Sequence, residues 1–147
     1  MTDSNHQSKL SKEQIDYVLN LYSSGEYQEA INQIKILNES YPNVPLLFNL
    51  IGACYKALGQ LEGSVKMFET AVNIKPDYAE ALKNLGITQR DLGQMDEAVE
   101  SLNKAISAEP NYVEAHYNLA ETLKEMGRYD DSIESYKATI GANPNFA

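Results

Sequence analysis

The sequence predicts an all-α solenoid assembled from four consecutive helix pairs, and three observations predict it. Gly25, Gly59, Gly93 and Gly127 recur every 34 residues. Pro42, Pro76, Pro110 and Pro144 keep the same interval, each 17 residues after a glycine. Between these marks the apolar residues follow helical spacing, as in Leu82, Leu85 and Leu92 before Gly93 and Ala98, Leu102, Ala105 and Ile106 after it. Four units follow, 11–44, 45–78, 79–112 and 113–146, leaving Ala147 and a head, 1–10, expected to be flexible.

Local chemistry justifies the elements in order. Ser11-x-x-Gln14 reads as a capping box that opens the first helix, with Leu10 placed to staple onto Ile15. Gly25 stops that helix, because a residue without Cβ takes the left-handed conformation a C-cap needs. Glu29 opens the second helix at its positive dipole end, and Pro42 closes the unit because it cannot donate into a continuing helix. The second unit repeats this logic with Gly59, Glu62 and Pro76. Asp77-x-x-Glu80 and Asn111-x-x-Glu114 read as further capping boxes for the third and fourth units. Asp96 with Glu97, and Asp130 with Asp131, follow the last two glycines.

Composition narrows the function classes. The 147 residues carry 12 Lys plus Arg against 21 Asp plus Glu, a formal charge of −9, which repels phosphate backbones and anionic lipid. Neither nucleic acid nor a membrane surface is an expected partner. No apolar run approaches the roughly 18 residues of a membrane span, and MTDSNHQSKL contains no signal-like apolar stretch. One cysteine, Cys54, cannot form a disulfide within the chain. These features lead to an expected cytoplasmic location.

The residues resemble the tetratricopeptide repeat (TPR), a 34-residue helix–turn–helix unit with small and large residues at fixed positions. The family's Leu-Gly pair appears as Ile51-Gly52, Leu85-Gly86 and Leu119-Ala120. Its Gly, Tyr and Ala around the turn appear as Gly25, Tyr27 and Ala30, then as Gly127, Tyr129 and Ser132. The later large residue is Ile34, Phe68, Leu102 and Tyr136. The frequent Trp position holds Gln14, Phe48, Leu82 and His116, and Ser64 and Ser132 replace the small Ala of the helix crossing. The resemblance implies a right-handed α-solenoid of four repeats and is similar to the arrays of protein glycosyltransferases and of TPR-containing sulfotransferases.

By the same resemblance, the first helices line a concave surface that receives extended peptides. Carried over by position, its binding residues are Asn49, Lys83, Asn84, Arg90, Tyr117, Asn118, Glu121 and Lys124. Asn84 and Asn118 are equivalent, and a side-chain amide can both donate to and accept from a peptide backbone, as asparagine ladders do in the glycosyltransferase arrays. The family's chaperone-tail clamp needs Lys and Asn at two first-helix positions, which here hold Ile15 and Leu19, Asn49 and Ala53, and Lys83 and Ile87. That clamp is not reproduced.

Other chemistry is thin. His116 sits at a packing position and His6 in the head, Cys54 falls where a small buried residue belongs, and these three make no metal site. No GxxxxGK or GxGxxG occurs. Pro42-Asn43-Val44-Pro45 matches PxxP but coincides with a corner between units, and Asn38-Glu39-Ser40 fits a glycosylation sequon without a secretory route. The expectation is a non-catalytic scaffold without metal or cofactor, binding a peptide or protein segment. Two alternatives stand beside it: the TPR segment of a larger glycosyltransferase- or sulfotransferase-type enzyme, and a self-associating structural module. The latter follows from Ile133 and Ile140, expected to lie uncovered on the last helix pair.

Overall fold

The computed structural model describes residues 9–143 and 145. These form eight α-helices: α1 Lys12–Ser23, α2 Tyr27–Ser40, α3 Pro45–Ala57, α4 Leu61–Ile74, α5 Ala79–Asp91, α6 Met95–Ala108, α7 Val113–Glu125 and α8 Tyr129–Ala142. No strand occurs among the described residues. Most of the predicted flexible head, with His6, lies outside the described residues, as do Pro144 and Phe146. The chain divides into two compact units, Met1–Ile74 with α1 to α4 and Lys75–Ala147 with α5 to α8.

In each unit every helix packs on the next, and in the second unit α5 also touches α7. The core of the first unit is Val18, Leu21, Ala30, Ile31, Ile34, Leu47, Ile51 and Cys54, with Leu10 packed against it. In the second unit Leu102, Leu119 and Leu123 cluster under Val99 and Ile106.

The glycine period has the cause assigned to it. Gly25, Gly59, Gly93 and Gly127 have φ of +80°, +78°, +80° and +77°. At Gly93 the reversal lets Gln94 N–H reach back to Gln89 O at 2.8 Å, joining the Leu92 N–H at 3.1 Å on a carbonyl of the last helical turn. The close crossings also depend on missing Cβ atoms. A Cβ on Gly52 would stand 2.6 Å from the Phe68 ring, and one on Gly86 would stand 2.7 Å from Leu102. Where serine replaces the small Ala, its hydroxyl is satisfied: Ser64 Oγ donates to Gly52 O and Ser132 Oγ to Ala120 O, each at 2.8 Å across the crossing. A hydroxyl close to methyl size is therefore absorbed without an orphaned donor.

The Ser11–Gln14 capping box forms in both directions, at 3.1 and 2.9 Å. The other two do not. Helices α5 and α7 take Tyr78 and Tyr112 as N-caps without a side-chain cap bond. The reason lies in the preceding turns, where Tyr78 N–H bonds Lys75 O and Tyr112 N–H bonds Glu109 O. These bonds close the proline corners and start each helix one residue after the position Asp77 or Asn111 needs. Glu80 and Glu114 still lie in the first turns, where negative charge is favourable.

Candidate functional site

Seven of the eight residues assigned to peptide binding lie in the second unit, on α5 (Lys83, Asn84, Arg90) and α7 (Tyr117, Asn118, Glu121, Lys124). Two successive first helices thus carry one set of polar side chains, and α5 touches α7. Asn49 lies on α3 of the first unit and is 2% exposed, so it belongs to that unit's interior.

The α5–α7 face is tied by cations on α5 reaching acceptors on α7. Lys83 Nζ donates to Glu114 Oε2 at 2.8 Å and stands 5.6 Å from the centroid of the Tyr112 ring. Burial by itself lowers the Lys83 ammonium, but the hydrogen bond to Glu114, the charges of Tyr112 and Glu114 and the Tyr112 hydroxyl outweigh it and raise the group above its ordinary value. Two turns along α5, Arg90 donates through its two terminal nitrogens to the backbone oxygen and to Oδ1 of Asn118, both at 3.4 Å, while its Nε lies 3.9 Å from Glu125.

Asn118 is itself held from below. Its Nδ2 donates to Glu114 O at 2.8 Å, and Thr122 Oγ1 donates to Asn118 O at 2.7 Å. The amide keeps one further N–H and one further lone pair, which is the capacity a peptide contact needs. Glu121 accepts from the Tyr136 hydroxyl and pairs with Lys124 at 3.7 Å. Burial, then the bond to Glu121, pushes the Tyr136 phenol up to about 12. Tyr117 is partly exposed and its ring lies 6.1 Å from that of Tyr136, so it forms a supported aromatic platform.

Sequence reasoning missed Glu114, Tyr112 and Tyr136 as parts of this face. The repeat alignment held the signal: Glu114 falls one unit on and three residues before the counterpart of Lys83, nearly one helical turn, the offset that lets neighbouring first helices meet. It also missed Gln89 and Ser101, whose buried bond of 2.7 Å ties α5 to α6 behind the face.

The remaining candidates resolve as packing. His116 Nε2 donates to Pro110 O at 2.7 Å, tying down the corner before α7. Cys54 is buried, and desolvation pushes its thiol up to about 11, away from nucleophilic use. No cluster of three metal-ligating side chains occurs among the described residues. No helix of the described residues is long and apolar enough to cross a membrane.

A TPR repeat model matches residues 52–93 and 88–127, and a tetratricopeptide repeat model matches 113–146. Anaphase-promoting complex subunit 3 of Dictyostelium discoideum is 29% identical over 65 residues, which is 44% of this chain and 7% of that protein. Thus the chain spans a small fraction of that relative's length. Among solved structures, a MamA crystal structure superimposes with a TM-score of 0.80 at 26% identity, covering 86% of this chain and 74% of MamA. MamA from Desulfovibrio magneticus RS-1 gives 0.81 at 19%, covering 90% and 75%. A thermophilic TPR protein of Thermus thermophilus gives 0.78 at 24%, covering 88% and 72%. These relatives support the repeat solenoid and give no support to the resemblance to glycosyltransferase and sulfotransferase arrays. With its 34-residue period and helix pairs turned by left-handed glycines, and with more than half its length matched by the repeat model, the chain belongs to the tetratricopeptide repeat family.

Proposed function

We propose that the protein is a non-catalytic cytoplasmic scaffold whose α5–α7 face holds an extended peptide or protein segment. The observation that carries this reading is the pre-ordering of that face. Lys83 and Arg90 are fixed by Glu114 and Asn118, the Asn118 amide is anchored with hydrogen-bonding capacity to spare, and the Tyr117 ring is backed by Tyr136. A surface whose long side chains are already ordered loses little further entropy on binding, which favours capture of a flexible segment. Partner choice follows from the charges. Because Lys83, Arg90 and Lys124 each already face a carboxylate, the face has little to offer a peptide's terminal carboxylate and suits a segment recognised through its backbone and an aromatic contact.

The test is selection of a peptide library on the 147-residue chain, followed by affinity measurement on Asn84→Ala/Asn118→Ala and Tyr117→Ala variants. Loss of backbone contacts in the double variant weakens selected peptides by about 1–3 kcal/mol, roughly 5- to 150-fold, with helicity unchanged. Selected peptides that bind both variants as well as the parent chain would remove the α5–α7 face as the site.

A further inference from the structure

The joint between α6 and α7 has exposed counterparts among the described residues, Ile133 and Ile140 on α8 and Tyr17 on α1, while Leu21, the counterpart of Leu123, is buried in the first unit's core. In the second unit, Val99 and Ile106 of α6 pack against the cluster that contains Leu119 and Leu123 of α7. Thirty-four residues after Val99 and Ile106 stand Ile133 and Ile140 on α8, the same class of side chain at the same positions. They are 50% and 46% exposed. The reciprocal half lies on α1. The counterparts of Leu119 in the first two repeats are Tyr17 and Ile51; Ile51 and Leu119 are 2% and 7% exposed, whereas Tyr17 is 50% exposed.

We propose that α8 of one copy receives α1 of a second copy, rebuilding head to tail between molecules the joint that α6 and α7 make within one. The repeat itself points to a second copy as occupant, because a single chain presents both the aliphatic socket on α8 and the α1 helix that the period matches to it. One residue sets the strength. Glu13 occupies the position that Leu47, Ala81 and Ala115 fill as fully buried side chains. Docking carries its carboxylate into a position that is apolar and buried in the other repeats, so association is weak and reversible. Because the two surfaces differ, the contact is heterologous and adds copies in one direction. It uses none of the side chains of the α5–α7 face.

Sedimentation velocity over about 1 μM to 1 mM tests this. The parent chain is expected to move from the 16.4 kDa monomer towards multiples of that mass as concentration rises. Glu13→Ala moves the transition to about tenfold lower concentration. Ile133→Glu and Tyr17→Glu each remain monomeric alone, yet mixed together they form a 1:1 dimer that grows no further, since each supplies the half the other has lost. That restored dimer also demonstrates that both variants are folded. A parent chain and Glu13→Ala variant that stay monomeric throughout overturn the proposal. So does self-association of Tyr17→Glu alone, which would mean that α8 pairs with α8 or with another surface, and so does a mixture that stays monomeric.

Discussion

The two units build the same helix pairs and give their first helices opposite chemistry. In the first unit the outward positions of α1 and α3 hold Ile15, Leu19, Tyr22 and Ala53, and Tyr22 packs edge-on against Tyr27 at 5.3 Å. In the second unit the equivalent positions hold Lys83, Ile87, Arg90, Tyr117, Glu121 and Lys124; Lys83 and Arg90 make charge-assisted bonds from α5 to α7, and Glu121 and Lys124 pair within α7. The period therefore constrains the buried crossings and the corners while leaving the face of each unit free to carry aromatic packing or polar stitching. The proposed recognition face and the buried crossings can vary independently in this architecture because they use different sides of the same helices.

The largest effect that tests this separation comes from the crossings. Phe68→Ala removes the ring that fills the space over Gly52 and is expected to cost about 3–5 kcal/mol in urea unfolding; Leu102→Ala, its counterpart over Gly86, costs about 2–5 kcal/mol. Comparable losses in both units support a shared framework beneath different faces. A loss confined to one unit would break the comparison.

A second contrast concerns a flaw present in the first unit. Asn38 Oδ1 is buried without a hydrogen-bond partner among the described residues, at the position where the later repeats have Val72, Ile106 and Ile140. Asn38→Val should stabilise the chain by about 1 kcal/mol, because it replaces a desolvated, unsatisfied acceptor with the aliphatic group its counterparts use. An unchanged or lowered unfolding midpoint would show that this amide is not a net cost.

Alkaline titration separates the units by group. Burial raises the Cys54 thiol of the first unit from 9.0 to about 11, and burial with the Glu121 bond raises Tyr136 of the second from 10.0 to about 12. Both folded values lie above the unfolded ones, so the stability they contribute is complete below the unfolded values and is lost as pH rises through the folded ones. Stability should begin to fall above about pH 9 through Cys54 and above about pH 10 through Tyr136. Cys54→Ala should flatten the earlier part of that decline and Tyr136→Phe the later part, as read from unfolding midpoints between about pH 8 and 12. A pH slope indifferent to both variants would contradict this assignment.

The smallest effect is the Lys83–Glu114 pair. A double-mutant cycle with alanine at both positions should give a coupling of about 0.5–1 kcal/mol that shrinks in high salt, in keeping with an ion pair whose acceptor is largely exposed. A coupling unaffected by salt would mean that the α5–α7 face is held by packing and not by charge.

Much of the fold was legible in the chain because its information is local and repeated. Gly25, Gly59, Gly93 and Gly127 each need only their own backbone conformation, and the helix pairs between them need only apolar spacing. Capping was legible where one helix start stood alone, at Ser11, and misread at Asp77 and Asn111, where bonds closing the proline corner moved the start by one residue. Ser64 and Ser132 depart from the small Ala in sequence, and only the packing shows each hydroxyl donating to a carbonyl on the neighbouring helix. The same boundary divides the candidate site. Sequence position selected Lys83, Asn84, Arg90, Tyr117 and Asn118. Only the packing of α5 on α7 decided that Glu114 and Asn118 hold the two α5 cations, and only the packing of the first unit decided that Asn49 is interior. Periodicity specifies which residues share a helix face, whereas partners across helices depend on the angle and offset at which two faces meet, and those quantities arise from the tertiary contacts alone.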